Sequence, residues 1–403
     1  MSKPAIGFVG LGAMGFGMAT HLVKEGYAVQ GFDVFPASVE RFTAAGGIAA
    51  SSLRESANGK QFYVCMVASA PQVQTSSPQN ATLLLCSTVA ASYAQSVAAE
   101  LQARGRADIH FIDSPVSGGA KRAANGTLSI MAGAPDAALQ SGRFLLETMA
   151  DANKLYLVPG GIGAGSNMKM VHQVLAGVHI LGASEAMGFA AHLGLDAVKT
   201  AEAIKASVAW TWMHENRLQR LLEEDWHPGA SALTIILKDV VYLSALLQGY
   251  GSVDDSSMVR QYYAEPVTKV SCTKSAAETA EALQLVLDMM QVTNLVAAAE
   301  AIAFARYLKV DLQQFFTLVS DAAGASREFL TKGLDMIEGR IGANAASETI
   351  DGAILRLEKA VQKARDLHCP LNLGNAAMSV LFLAKRAGFG AEGSTGVIKV
   401  FGN

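Results

Sequence analysis

The residues best suited to proton transfer follow a glycine-rich turn. Lys169, His172 and Gln173 come directly after Gly161-Ile-Gly-Ala-Gly165, and their spacing of i, i+3 and i+4 puts them on one face of a helix. A lysine in the apolar first turns of a buried helix is unusual, because an unpaired ammonium is costly to bury. Burial also lowers a lysine pKa, which suits a general acid or base. Lys169 could instead extend along the surface with its amine in water, and His172 could be a hydrogen-bonded core histidine.

A second candidate site lies in Asp113-Ser-Pro-Val-Ser117-Gly118-Gly119, after a strand-like segment. Two glycines after Ser117 allow backbone N–H groups to face a ligand, an arrangement suited to a carboxylate. A plain turn between two strands would use the same residue types. The stretch Asn125–Gly133 then predicts a hairpin or strand.

A GxGxxG sequence closes the first strand-like segment and precedes a predicted helix over Phe16–Glu25. In that context the first glycine allows a tight turn, the second lets the backbone approach a pyrophosphate, and the third lets helix and strand pack closely. The helix N-terminus then favours the anion. The pattern predicts a dinucleotide site at Gly10, Leu11, Gly12, Ala13, Met14 and Gly15.

Asp33 ends the second strand-like segment and bears on the choice of cofactor. Its carboxylate can accept hydrogen bonds from the adenosine ribose, and its charge would repel a 2′-phosphate. No arginine follows directly, since the next residues are Val34-Phe35-Pro36. NAD is therefore favoured over NADP. Glycines in an ordinary turn and a solvated acid are the alternative.

Other chemistry has less support. Lys238-Asp239 places charges inside the apolar stretch Ala232–Leu243, either at a site or as an ion pair on a solvated edge. The histidines lack ligand spacing with carboxylates or thiols, so no metal site is expected. There is no GxSxG nucleophile motif.

Composition limits the protein class. The chain has 403 residues, 51% of them hydrophobic, which favours two or three domains with large cores. A net charge of −3 favours no nucleic-acid partner. No uncharged apolar run of about 18 residues is present, and the start of the chain resembles a strand rather than a signal peptide, so no membrane span is expected. The four cysteines are far apart, which favours reduced thiols in a cytoplasmic protein.

The candidate sites lie in two regions of different pattern. Residues 1–158 alternate between strand-like segments and helical stretches, which predicts a parallel sheet with helices on both faces. We therefore expect an α/β Rossmann domain followed by an all-α region. The strand-like segments are Ala5–Gly10, Ala28–Asp33, Phe62–Val67, Leu83–Cys86 and His110–Asp113.

The helical region contains an internal repeat. Val178–Asp196 resembles Thr293–Asp311, and Glu185 matches Glu300 at an offset of 300 − 185 = 115. The repeat ends match at an offset of 388 − 249 = 139, so the first copy is shorter. We expect a Rossmann domain over 1–158, a catalytic repeat over 159–263, a linker over 264–284 and a degenerate packing repeat over 285–403.

The order of these motifs resembles the β-hydroxyacid dehydrogenase family, which includes 3-hydroxyisobutyrate dehydrogenase and is related to 6-phosphogluconate dehydrogenase. The resemblance is carried by GFVGLGAMGFGMATHL, Ser87-Thr88, DSPVSGGAKRAANGTLSIMAG and GIGAGSNMK. The stretch MVHQVLAGVHILGASEAM after Lys169 and WMHENRLQRLLEEDWHPGASALTIILKD resemble the L-threonate and four-carbon acid-sugar branch. The resemblance covers nearly the whole chain.

The resemblance implies roles for individual residues. Lys169 would take the hydroxyl proton while hydride passes to the nicotinamide. Gln173 stands where many members have a substrate-binding asparagine, and His172 would contact extra hydroxyls. The carboxylate would bind at Ser117, Gly118 and Gly119, and the cofactor would also contact Met66, Val67, Thr88 and Lys238.

Three departures from the family pattern stand out. The stretch between Val67 and Leu83 is shorter by about a helix, and another helix is absent between Leu247 and Gly249. The second repeat has Gln284 where the offset predicts a lysine, and Leu355-Arg356 where Lys-Asp belongs. We therefore expect one active site per chain. We also expect the second repeat to replace the packing surface that a dimer partner would supply.

Three functions remain open. The first is an NAD-dependent oxidoreductase acting on a four-carbon sugar acid such as threonate, as a monomer or homodimer. The second is a 3-hydroxyisobutyrate-type or tartronate-semialdehyde-type enzyme, against which the His172-Gln173 pair weighs. The third is a dinucleotide-binding scaffold without turnover, which the two gaps suggest and the retained Lys169 and Lys238 oppose.

Overall fold

The chain folds into two compact units. The first comprises Met1–Met170 with Leu308–Leu318, and the second comprises Val171–Tyr307 with Val319–Asn403. The structure is a computed structural model, and it describes residues 3–67, 78–223, 226, 254–341 and 348–402.

A six-stranded parallel sheet forms the centre of the first unit. Its order, β3-β2-β1-β4-β5-β6, is that of a doubly wound dinucleotide-binding fold. All four residues of each of the strands Ile6–Val9 and Thr82–Leu85 are buried, as in sheets covered on both faces. The strands are β1 (Ile6–Val9), β2 (Val29–Phe32), β3 (Ile48–Ala49), β4 (Phe62–Cys65), β5 (Thr82–Leu85) and β6 (His110–Asp113).

In the described part of the chain, helices join β1 to β2, β2 to β3, β3 to β4 and β5 to β6. The Rossmann-like fold class is confirmed, and the five predicted strands are present with ends shifted by up to two residues. The first helix begins at Ala13, three residues before the predicted start, because the glycine turn leads directly into it. The helices are α1 (Ala13–Lys24), α2 (Pro36–Ala44), α3 (Leu53–Ala57), α4 (Ala91–Ala103), α5 (Gly119–Asn125) and α6 (Asp136–Met149).

The first unit also contains a second, three-stranded sheet. Its strands are β7 (Val116–Ser117), β8 (Leu128–Ala132) and β9 (Ala150–Leu157). The strand predicted in Asn125–Gly133 is β8, which pairs antiparallel with β7 through Val116 and Ile130. Helix α5 lies between the two strands and was not predicted, because its seven residues are too few for a clear helical period.

The shortened connection before β5 does not prevent strand pairing. Strands β4 and β5 lie parallel with Phe62 opposite Thr82 and Cys65 opposite Leu85. Part of that connection, residues 68–77, lies outside the described residues, as does the second proposed gap between Leu247 and Gly249. The central sheet therefore has its usual strand order despite the shorter connection.

The rest of the described chain is almost entirely helical. Two of its helices are long and apolar enough to cross a membrane, but their most apolar windows are 83% and 78% buried within the protein itself. Such burial is typical of core helices. The helices are α7 (Ala164–His192), α8 (Ala197–Lys205), α9 (Trp212–Glu223), α10 (Ala276–Tyr307), α11 (Leu312–Ser320), α12 (Arg327–Glu338), α13 (Ile350–Asp366) and α14 (Asn372–Arg386).

Helix bounds repeat at the offset found in the sequence. Helices α8 and α11 begin at 197 and 312, and α9 and α12 begin at 212 and 327, so both pairs differ by 115. Asp196 caps α8 through the Lys199 N–H, and Asp311 makes the equivalent 2.8 Å bond to the Gln314 N–H. The two copies thus share their local capping as well as their sequence pattern.

The two copies also pair with each other symmetrically inside the second unit. Thr211 and Ser326, which are equivalent positions, form an antiparallel bridge. Trp212 donates its backbone N–H to Ala325, and Arg327 donates to Trp210, both at 2.9 Å. Adding 115 to residues 212 and 210 gives 327 and 325, so each bond is the counterpart of the other. The contact therefore has local two-fold symmetry.

Candidate dinucleotide and proton-transfer site

The glycine turn has the geometry that a dinucleotide requires. Gly10 has φ +90°, and a Cβ there would lie 1.9 Å from the Met66 carbonyl oxygen. A Cβ on Gly15 would lie 1.8 Å from the Gly10 carbonyl oxygen, so α1 can approach the turn only without one. Gly12 has no atom within 4 Å of its ideal Cβ position, which leaves its face open. Two glycines therefore close the turn, and the middle one allows a ligand to approach.

Asp33 is bound to this turn through backbone amides. Its Oδ2 accepts the Leu11 N–H at 2.6 Å, and its Oδ1 accepts the Phe35 N–H at 2.9 Å. The carboxylate is half-buried and fixed beside the turn. The turn, the N-terminus of α1 at Ala13-Met14 and this acid together fit an adenosine pyrophosphate.

The remaining predicted cofactor contacts lie on neighbouring loops. Met66 follows β4, and its N–H bonds to Val9, the last residue of β1. Val67 donates its N–H to the Ser87 hydroxyl at 2.9 Å, which ties the loops after β4 and β5 together. Thr88 is exposed on the second of these loops. These positions share the carboxyl edge of the sheet, where doubly wound folds bind ligands.

Asp113 fixes the start of α7 to the end of β6. Its Oδ2 accepts the N–H groups of Gly163 and Ser166, at 3.1 and 2.8 Å, and its Oδ1 accepts the Ser166 hydroxyl at 2.6 Å. Burial raises the pKa of Asp113, and these bonds oppose that change. The carboxylate caps the helix from another element. Sequence reasoning missed this role, because the bonded residues are 50 and 53 positions away.

Close backbone packing reinforces the same junction. A Cβ on Gly165 would lie 2.2 Å from the Met131 carbonyl oxygen and 2.8 Å from that of Asp113. The glycines before α7, predicted as a turn, therefore let the helix start against β6 and β8.

Lys169 lies one turn beyond this junction and is buried. Only 6% of the residue is exposed, so the alternative of a surface lysine is wrong. Burial lowers the pKa of Lys169 to about 8, and burial is the sole cause of the shift. An amine with that pKa exists in both protonation states near neutral pH, which suits a proton-transfer group.

The predicted carboxylate site is at the end of β7. Ser117 is half-buried, and the next two residues have positive φ, +138° at Gly118 and +73° at Gly119. Helix α5 begins at Gly119, and a Cβ on that residue would meet no atom within 4 Å. The two glycines thus permit a backbone path with positive φ. The face at Gly119 is open, whereas a Cβ on Gly118 would lie 2.8 Å from the Arg122 Cδ.

The other predicted substrate residues are on α7 in the second unit. His172 is 1% exposed, and the Gly324 N–H points to its Nε2 at 3.4 Å. This contact supports the reading of His172 as a core histidine. Gln173 is half-buried. Lys238, predicted near the cofactor, lies outside the described residues.

The equivalent positions of the second repeat form a network of ion pairs. Gln284, equivalent to Lys169, donates to Asp288 at 2.9 Å. Arg356 donates to Asp288 at 2.7 Å and makes a two-pronged bond to Glu348 at 2.5 and 2.6 Å. Charged groups here satisfy each other.

Within the described ranges, no cluster of three or more His, Cys, Asp or Glu residues could hold a metal ion. All four cysteines are free, and only Cys272 is exposed.

The order of the sheet, the glycine turn and the acid after β2 define a domain of the NAD(P)-binding Rossmann class. Residues 5–160 match the family model for the NAD-binding domain of 6-phosphogluconate dehydrogenase. Residues 163–270 and 279–401 both match the model for the NAD-binding region of NADP-dependent 3-hydroxyisobutyrate dehydrogenase. The chain belongs to the 3-hydroxyisobutyrate dehydrogenase family of hydroxyacid dehydrogenases, as its motif order predicted.

Individual relatives agree with this assignment. L-threonate dehydrogenase of Cupriavidus necator is 32% identical, over 63% of this chain and 95% of that enzyme. The mouse mitochondrial 3-hydroxyisobutyrate dehydrogenase is 28% identical, over 68% of this chain and 83% of that enzyme. Plasmodium falciparum 6-phosphogluconate dehydrogenase shares the fold, with a TM-score of 0.65 and 13% identity over 94% of this chain and 92% of that one.

Removing the Asp113 carboxylate should destabilise the first unit. Asp113→Ala leaves three buried donors without an acceptor, at about 1–3 kcal/mol each before relaxation. Asp113→Asn can keep all three bonds, because its amide oxygen accepts both N–H groups and its amide nitrogen donates to the Ser166 hydroxyl. In urea unfolding followed by circular dichroism, we expect Ala to lower the midpoint strongly and Asn to remain near wild type. Equal midpoints for Ala and wild type would contradict the capping role.

Proposed function

We propose that the protein is an NAD-dependent dehydrogenase that oxidises the hydroxyl of a four-carbon sugar acid such as threonate in the cytoplasm. The observation that carries the proposal is the buried Lys169, which has a pKa of about 8 and lies one turn into a helix capped by Asp113. The named activity of the similar Cupriavidus necator enzyme supports threonate as the substrate.

The residues of this chain divide the work as follows. Neutral Lys169 accepts the proton of the substrate hydroxyl, directly or through water. Backbone N–H groups of the Ser117-Gly118-Gly119 turn hold the carboxylate, and Gln173 is the side chain we assign to a further hydroxyl. Bound NAD would supply the hydride acceptor. Lys238 completes the cofactor site in this proposal.

NAD is the cofactor we propose, because the Asp33 carboxylate is fixed where an adenosine ribose hydroxyl would bind. The negative charge disfavours a 2′-phosphate at the same position. A substrate panel tests cofactor and substrate together.

The panel should contain L-threonate, 3-hydroxyisobutyrate and L-serine, each with NAD and with NADP, followed by the absorbance of the reduced cofactor. We expect turnover with L-threonate and NAD. Turnover of 3-hydroxyisobutyrate without threonate would overturn the substrate proposal in favour of the second candidate. Binding of NAD by calorimetry without turnover of any hydroxy acid would favour the scaffold.

The rate of oxidation should depend on the protonation of Lys169. Because only the neutral amine accepts a proton, kcat/KM should rise with pH through about 8 and then level off. Lys169→Ala should lower kcat by about 10²–10⁴-fold, and Lys169→Arg should do the same because a guanidinium stays protonated. Lys24→Ala, at the exposed end of α1, is the matched control and should keep the wild-type profile. An unchanged kcat in Lys169→Ala would exclude the proposed mechanism.

We further propose that the degenerate repeat (285–403) provides a packing surface for the catalytic repeat (159–263) within one chain. It would replace the surface that a dimer partner provides in relatives with a single repeat. The symmetric pairing of Thr211 with Ser326 supports this, because a two-fold contact is typical of a homodimer interface. The coverage of Cupriavidus necator L-threonate dehydrogenase also supports it, since 95% of that enzyme aligns with 63% of this chain. The ion-pair network around Arg356 supports a single active site per chain.

Light scattering coupled to size exclusion tests the replacement. We expect a mass near that of one chain, 42.2 kDa, with full activity at low protein concentration. A dimer that loses activity on dilution would contradict the proposal, because it would show that a second chain still completes the site.

A further inference from the structure

Arg41 lies at the glycine turn although no motif points to it. It is on α2, and its Nη2 donates to the Leu11 carbonyl oxygen at 3.1 Å. Its guanidinium carbon is 4.0 Å from the centre of the Phe16 ring, so the cation stacks on the first turn of α1. The residue is otherwise exposed. A cation is thus held beside the turn with part of its surface in solvent.

Asp33 is bonded to the same residue from the other direction. Leu11 donates its N–H to Asp33 and accepts the Arg41 guanidinium on its carbonyl oxygen. The carboxylate and the guanidinium are therefore both held at the main chain of Leu11. We expect an acid and a base held at one turn residue to face neighbouring parts of a ligand bound there.

The part of a dinucleotide that would lie beside Asp33 and Arg41 is its adenosine half. In this fold the acid after β2 binds the ribose hydroxyls, and a nearby arginine accommodates a 2′-phosphate where one is present. A guanidinium can bind a phosphate through two parallel N–H bonds and can also stack on a ring. The residues after Asp33 contain no such cation before Arg41.

We propose that Arg41 is a cofactor-binding residue, and that Asp33 and Arg41 together set the choice between NAD and NADP. Arg41 contacts the adenosine half in either case. Asp33 excludes the 2′-phosphate by charge, so the NAD preference depends on one carboxylate beside a cation that could otherwise bind NADP. The inference rests on the dinucleotide part of the proposed function and not on its substrate.

The test uses calorimetric titration with 5′-AMP and with adenosine 2′,5′-bisphosphate (2′,5′-ADP), which differ in the 2′-phosphate alone. Four variants are compared with wild type: Asp33→Asn, Arg41→Met, the double variant, and Arg104→Met as a control. Methionine keeps an unbranched apolar chain against Phe16 and removes the charge. Arg104 is an exposed arginine after the last turn of α4, paired with Glu100 and away from the glycine turn. Thermal unfolding of each variant checks that it is folded.

We expect wild type to bind 5′-AMP more tightly than 2′,5′-ADP. Asp33→Asn should improve the affinity for 2′,5′-ADP by about 10–100-fold, because the repulsion of the 2′-phosphate is removed and Arg41 can make a charge-assisted bond to it. The double variant should lose that gain while its affinity for 5′-AMP falls only several-fold. Arg41→Met alone should weaken 5′-AMP several-fold, because it removes a cation that we place beside the adenosine half. The control should match wild type.

Two results would overturn the inference. If the double variant binds 2′,5′-ADP as tightly as Asp33→Asn, Arg41 does not bind the phosphate. If Arg41→Met lowers the affinities for both nucleotides equally in the Asp33→Asn background, the role of Arg41 is only to hold the Leu11 carbonyl. Because nucleotide binding is measured without substrate, a protein that behaves as expected here but oxidises no hydroxy acid would refute the proposed activity and leave this inference intact.

Discussion

The capping of α7 by Asp113 is the interaction on which the proposed chemistry depends. One carboxylate joins the end of a sheet strand to the first turn of the helix that carries Lys169. The bonds are buried, so their partners have no water to replace them. The backbone contact of Gly165 with Met131 limits movement at the same junction. A proton-transfer group placed one turn beyond such a junction has a well-defined position relative to the first unit.

The electrostatics of the lysine follow from its burial rather than from a charged partner. Burial favours the neutral amine of Lys169, and its pKa falls to about 8 with no other cause. A nearby carboxylate ion pair would raise that pKa and hold the amine protonated. The carboxylate of Asp113 instead accepts hydrogen bonds from Gly163 and Ser166. It therefore stabilises the helix and does not serve as the counter-ion of the lysine. The fold thus positions an amine rigidly while leaving it able to change protonation state.

Local patterns allowed prediction of the elements whose signals are contiguous. The glycine turn and Asp33 are recognisable because strand, turn and helix follow each other within about thirty residues. Asp113 and Arg41 were not assigned roles, because their partners Ser166 and Leu11 are distant in sequence and meet only after folding. Strand β9 was missed for a related reason: its pairing with β8 depends on tertiary contact rather than on an apolar run.

The second repeat keeps the helical frame of the first copy but not its lysine. Its helix bounds and its capping by Asp311 repeat those of the first copy, because both depend on local sequence. At the position equivalent to Lys169, however, Gln284 bonds to Asp288, which in turn pairs with Arg356. Mutual pairing satisfies these charges, whereas a reactive amine must remain available to a ligand. The helical frame therefore accommodates either a buried amine or an ion-pair network at the same helical position.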